Sequence, residues 1–149
     1  MNDLSASVWW VRVFPVLFVG TWLLVLNVLS SIGGWRELAQ SYGATAPGDG
    51  KRFSFQSAKL GFVNYGGCLR FTAGTAGLFV SVVWPFRPGH HPLFIPWSNV
   101  SAVEHRGWFL RYVDLRFARQ PHVRMRLSRR LAEQLIAAGG HAVRIAEAG

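Results

Sequence analysis

Tyr112 to Leu127 reads YVDLRFARQPHVRMRL, two runs of alternating apolar and polar residues around a proline-containing turn. Val113, Leu115 and Phe117 alternate with Tyr112, Asp114, Arg116 and Ala118. Beyond Pro121, Val123, Met125 and Leu127 alternate with His122, Arg124 and Arg126. A period of two sorts the apolar set of each run onto one side of a strand. The loop between them fixes the register. A two-residue Gln120-Pro121 loop pairs Phe117 with Arg124 and Leu115 with Arg126, which drives charge into the core. A three- or five-residue loop pairs Phe117 with Val123, Leu115 with Met125 and Val113 with Leu127. A slip of one residue inverts both faces, so the register that joins the apolar sets is expected. Asp114 then faces Arg126 on the outer side, a favourable pair. Arg116 faces Arg124 there, a like-charge pair that is unfavourable unless an anion bridges it.

Strand texture extends upstream of this hairpin. Phe53 and Phe55 alternate with Arg52, Ser54 and Gln56 from Lys51 onward. Asn64-Tyr65-Gly66-Gly67 reads as a turn before Cys68–Phe71, and Gly74-Thr75-Ala76-Gly77 as another before Leu78–Val83. Proline and glycine crowd residues 85–92 into a loop. Leu93–Ile95 and Val100–Glu104 follow, divided by Pro96, and His105-Arg106-Gly107 turns into a strand over Phe109–Phe117. Short strands at this spacing imply an antiparallel sheet, sandwich or partly open barrel.

Downstream the period changes. Ser128 is a fitting N-cap, Leu131, Leu135 and Ile136 mark one helical face, Arg129 and Glu133 stand at i and i+4, and Gly139-Gly140 stops the helix. Arg129 and Arg130 fall in its first turn, where the macrodipole disfavours cations. Arg116, Arg124, Arg126, Arg129 and Arg130 are therefore the candidate contacts for an anion or a partner. The competing expectation for each is a solvated arginine.

At the other end, Val13–Ile32 (VFPVLFVGTWLLVLNVLSSI) holds twenty residues without a charge. As a helix that run is about 30 Å long, about the thickness of a bilayer's hydrocarbon core. Trp9 and Trp10 before it and Trp35 after it fit interfacial belts. A signal peptide is disfavoured: Asp3 dilutes the basic n-region, the apolar run is long, and the first Ala-x-Ala match after it, Ala44-Thr45-Ala46, is remote and precedes Pro47. Gly33-Gly34 ends the run. Trp35, Leu38, Ala39 and Tyr42 then make one face of a short amphipathic helix, near headgroups or packed on the domain. Gly43–Gly50 reads as a flexible linker.

Residues 51–149 carry a net charge of +10 and residues 1–50 a net of −1. Of the short flanks of the apolar run, the first offers only Arg12 and the second Arg36, Lys51 and Arg52. This bias places the basic C-terminal domain in the cytoplasm, facing anionic headgroups.

Gly77-Leu78-Phe79-Val80-Ser81, and above all Phe94-Ile95-Pro96-Trp97-Ser98-Asn99-Val100, add a family likeness. With an anchor, antiparallel strands and one closing helix over Ser128–Ala138, they resemble the pleckstrin-homology-like domains of small bacterial membrane proteins. The resemblance covers roughly residues 51–138. Trp97 is large enough to plug a barrel end, and with the anchor the chain reads as a single-pass inner-membrane protein. The resemblance implies binding or scaffolding rather than a reaction, and no phosphoinositide motif accompanies it.

No reaction chemistry stands out. The single cysteine, Cys68, excludes an intramolecular disulfide and reads as a small buried hydrophobe. His90, His91, His105, His122 and His141 show no metal-ligand spacing, the carboxylates form no recognisable pair, and no phosphate-binding glycine loop is present. The expectation is an α+β chain with no catalytic residues, cofactor or metal. It comprises a membrane anchor (1–33), a juxtamembrane helix and linker (34–50), a β-rich domain closed by a helix (51–140) and a tail (141–149). Its expected partners are the bilayer, anionic lipid headgroups or a membrane protein. The alternative is a soluble nucleic-acid- or anion-binding domain with the apolar helix packed inside. Arginines interleaved with Phe109, Tyr112 and Phe117 suggest stacking on bases. A core-facing Phe117 and a membrane tether oppose it.

Overall fold

The computed structural model describes residues 3–44, 49–139, 141 and 143–147. Helix α1 (Asp3–Ile32) is followed by α2 (Trp35–Tyr42) and strands β1 (Lys51–Leu60), β2 (Val63–Ala73), β3 (Gly77–Val82) and β4 (Leu93–Pro96). A single 3-10 turn (Trp97–Asn99) leads to β5 (Val100–Arg106), β6 (Arg111–Phe117), β7 (Gln120–Ser128), α3 (Arg129–Ala138) and β8 (Ile145–Glu147). The chain is α+β, with one open eight-stranded sheet in the order β4-β3-β2-β1-β7-β6-β5-β8. Every pairing is antiparallel except β5 with β8.

The sheet has two halves joined narrowly. Only Lys59↔Arg126 and Leu60↔Met125 link β1 to β7. Both halves nevertheless feed one core, which contains Phe71, Leu78 and Ile95 from one side and Val113, Met125 and Leu127 from the other. Helix α3 packs on β2, β6 and β7. Its N-cap is Ser128, whose Oγ accepts from Leu131 N at 3.2 Å, and Gly139 follows its end. Gly140 lies outside the described residues. Trp97 is buried and its Nε1 donates to Gly74 O at 2.6 Å, covering the β2–β3 turn.

Helix α1 is the one helix among the described residues long and apolar enough to cross a membrane. Only 11% of its most apolar window is buried, so it is not packed inside the domain. Two glycines later the chain re-enters the protein. Gly34, at φ +84°, turns it into α2, whose Trp35 and Leu38 are completely buried and join the domain core. The amphipathic helix thus packs on the domain. The linker follows α2 rather than α1. Gly43 pairs with Leu93, and Ala44 N donates to Pro92 O at 2.8 Å. Residues 45–48 of that linker, which include most of the Ala-x-Ala match, lie outside the described residues.

The β6–β7 hairpin holds the expected register at Val113↔Leu127, Asp114↔Arg126, Leu115↔Met125 and Arg116↔Arg124. Phe117 departs from it: its partner across a bulge is Gln120 and not Val123. Pro121 has no N–H to offer the ladder. The Ala118-Arg119 turn is also held from outside, by Ala118 N donating to Asn99 O at 2.9 Å and Arg119 N to Tyr42 Oη at 2.9 Å. Three other expectations shift. The β1–β2 turn is Gly61-Phe62, and Asn64–Gly67 lies within β2. Gly61 takes φ +57° against the Gly33 backbone, a close approach that suits only glycine. The strand expected from Phe109 begins at Arg111, leaving Trp108, Phe109 and Leu110 as an exposed tip. Part of the expected tail forms β8.

Candidate anion-binding face

The strand period places His122, Arg124 and Arg126 on the outer side of β7, because Val123, Met125 and Leu127 fill the core. Register carries the pattern to both neighbours. Lys59 of β1 and Asp114 of β6 flank Arg126, and Arg116 stands opposite Arg124. A groove of about 330 Å³ runs over this face, lined by Lys59, Gly61, Phe62, Asp114, His122, Arg124 and Arg126. Its rim touches the start of the domain. Gly61 N donates to Arg124 O at 3.1 Å, while Gly61 itself abuts Gly33, the first residue after α1. Phe62 stands on that rim, 88% exposed.

Asp114 organises the floor. Its carboxylate is buried, although it lies on the outer side of the strand, because Arg126 and His105 cover it. Arg126 Nε donates to Oδ1 at 3.0 Å, and His105 Nε2 stands 3.3 Å from Oδ2 without hydrogen-bond alignment. The Arg126 guanidinium also lies 4.0 Å over the Tyr112 ring. The hydrogen bond to Asp114 raises the Arg126 pKa further above its ordinary range. Arg126 is therefore a fixed cation, and the single carboxylate neutralises only one of the positive charges of Lys59, Arg116, Arg124 and Arg126. His122 pairs with Glu37 of α2 at the groove's side. The face is chemically suited to hold an anion against rigid strands.

The structure brings together three of the five arginines singled out from sequence, Arg116, Arg124 and Arg126. It separates the other two. Arg129 donates from Nη1 to Glu104 at 3.0 Å and from Nε to Glu133 at 2.7 Å, so its charge is met within the protein. Arg130 lines a different depression, with Phe53, Gln56, Ser128 and Gln134. Sequence reasoning missed Lys59 and Phe62, which reach the site through the β1–β7 pairing. No signal local to β1 foretells that contact. His122 was legible, since it continues the Arg124–Arg126 alternation.

Elsewhere, Cys68 is buried, and burial pushes its thiol up. Among the described residues no three His, Cys, Asp or Glu side chains gather to hold a metal. No protein-family model and no curated protein matches the chain.

Proposed function

We propose that this chain is a non-enzymatic, membrane-tethered binding module that presents the outer face of β1, β7 and β6 to anionic lipid headgroups. In this reading α1 is a single span of a bacterial inner membrane, and the domain, pleckstrin-homology-like, stands on the cytoplasmic side. The observation that carries it is the excess of cations in one groove whose rim abuts Gly33, the first residue after α1. Juxtamembrane cations attract anionic leaflets by about 1 kcal/mol each. The run of seven sequential antiparallel strands closed by α3 supports the domain reading, as the Lys/Arg bias of the flanks supports the orientation. The tether disfavours nucleic acid as the partner.

The test uses the full chain in micelles containing equal amounts of a zwitterionic and an anionic phospholipid. Native mass spectrometry then reads which lipid is retained. The expected result is preferential retention of the anionic lipid, lost when Lys59, Arg116 and Arg124 are all changed to Gln. Equal retention of both lipids by the unaltered chain would sink the proposal.

A further inference from the structure

The segment between β3 and β4, residues 83–92, does not project freely. It lies along α1. Trp22 Nε1 donates to Pro85 O at 3.4 Å, the Trp22 and Phe86 rings sit 5.3 Å apart, and Ser30 Oγ donates to Gly89 O at 2.6 Å. Trp22, Leu26 and Ser30 are spaced by four, so one stripe of α1 faces this loop. Leu26 and Ser30 are buried, whereas Leu24, Val28 and Ile32 on other faces are exposed. The loop's own outward residues are Trp84, 80% exposed, and Phe86, 37% exposed.

We propose that this loop inserts Trp84 and Phe86 into the interfacial layer of the bilayer beside α1, an inference that rests on α1 being the membrane span. Depth decides it. Trp22 precedes Ile32 by ten residues, about 15 Å of helix. A hydrocarbon boundary at Ile32 would carry the loop about 15 Å down, to the bilayer centre, where lipid-facing irregular backbone does not occur. A boundary at Trp22 would instead leave Arg12 near the midplane, a costly position for a charge. A boundary near Leu26 satisfies both. Gly89, beside Ser30, then lies outside the hydrocarbon, and only the Pro85-Phe86 tip, level with Trp22, reaches about 6 Å below the boundary, within the 5–10 Å depth of interfacial apolar groups. Arg12 then lies about 9 Å from the opposite boundary of a 30 Å core, within range of snorkelling.

The loop is built for this position. Pro85 has no N–H, and its carbonyl accepts from Trp22. Val83 N donates to Cys68 O at 2.8 Å, Phe86 N to Val83 O at 3.0 Å and His90 N to Arg87 O at 2.9 Å, so these three N–H groups are met within the protein. Tryptophan suits the headgroup level, with an apolar body and a polar edge. Arg87 follows as an exposed cation on a stem long enough to reach up toward the headgroups. The membrane thus holds the domain at two points, the helix and the loop, and fixes its rotation about the helix axis.

The test is a depth measurement on the full chain in vesicles of neutral phosphatidylcholine, with Cys68→Ala and a single fluorescent label at Trp84→Cys or, for comparison, at Gln134→Cys on the exposed side of α3. Iodide quenching at residue 84 is expected to be roughly threefold or more weaker than at residue 134, as interfacial burial requires. A lipid-borne shallow quencher should act on residue 84 alone. Equal iodide access at the two sites in protein that resists alkaline extraction would overturn the loop insertion and leave the span standing. Release of the protein by alkaline wash without detergent would overturn both. Neutral vesicles keep the result independent of headgroup charge.

Discussion

Trp35 Nε1 donates to the main-chain oxygen of His91 at 2.8 Å, tying α2 to the loop that also grips α1. The indole is fully buried, with Tyr65 at 5.6 Å and His90 at 5.2 Å between ring centroids. Trp35→Ala should cost about 3–5 kcal/mol, the range for emptying a large core site. Trp84→Ala, at an exposed site, should stay within about 0.5 kcal/mol in detergent. Denaturant unfolding in micelles compares them, and similar losses would contradict the assignment of Trp35 to the core.

A chain cut back to residues 51–149 removes Trp35, Leu38 and Tyr42 from a core they help to fill. It should fail to fold, although it keeps every residue of β1 to β8. A chain starting at Gly33 should fold. Amide spectral dispersion and resistance to protease distinguish the outcomes.

Arg126 and Asp114 form an unequal pair, the carboxylate buried and the guanidinium 42% exposed. Removing the cation strands a buried charge. Arg126→Leu should destabilise by about 2–3 kcal/mol, and adding Asp114→Asn should recover part of the loss. A double-mutant cycle by denaturant unfolding measures the coupling, and strict additivity would count against it.

His90 accounts for one pH effect. Its ring is buried, with Nε2 beside Tyr65 Oη at 2.9 Å and Nδ1 beside Pro88 O at 3.1 Å. Burial lowers its pKa from the ordinary 6.5, partly offset by the carbonyls of Pro88 and Phe86. The unfolded chain therefore binds the proton more readily. Stability from this group is whole above pH 6.5 and is lost as the pH falls below that value toward the lowered folded pKa. Between pH 7.5 and 5, His90→Gln should flatten the decline in melting temperature. An unchanged slope would remove His90 as its source.

Gly61 sits at φ +57°, and a Cβ there would come within 2.9 Å of Gly33 O. Gly61→Ala should cost about 2 kcal/mol or more, from left-handed strain together with the backbone clash. Gly66→Ala, where a Cβ meets nothing within 4 Å, should change stability far less. Thermal unfolding ranks the two.

Where the sequence was legible, the determinants were local. Alternation at Val113–Phe117 and Val123–Leu127 set four cross-strand pairs. Ser128 with Leu131 marked the start of α3, and the uncharged run from Val13 marked the apolar helix. Where reading failed, distant partners decided. Phe117 left its expected register at a turn whose Ala118 and Arg119 donate to Asn99 and Tyr42. The strong turn signature Asn64-Tyr65-Gly66-Gly67 lost to a single glycine, Gly61, which takes the left-handed φ at the turn and packs against Gly33. Lys59 entered the candidate site through a two-residue contact between strands far apart in sequence, and β8 through a parallel pairing with β5. Buried Asp114 was assigned correctly to the outer side, but alternation carries no information about the side chains that cover it.

Gly33 and Gly34 are the whole connection between a helix that lies mostly outside the protein and a helix whose Trp35, Leu38 and Tyr42 join its core. That leaves no slack for the domain to swing on a leash. With α1 as the proposed span, a bilayer that thins or thickens and so tilts it would turn the domain too, as a rudder turns with its post. The angle at which the arginine face meets the lipid surface would then report membrane thickness.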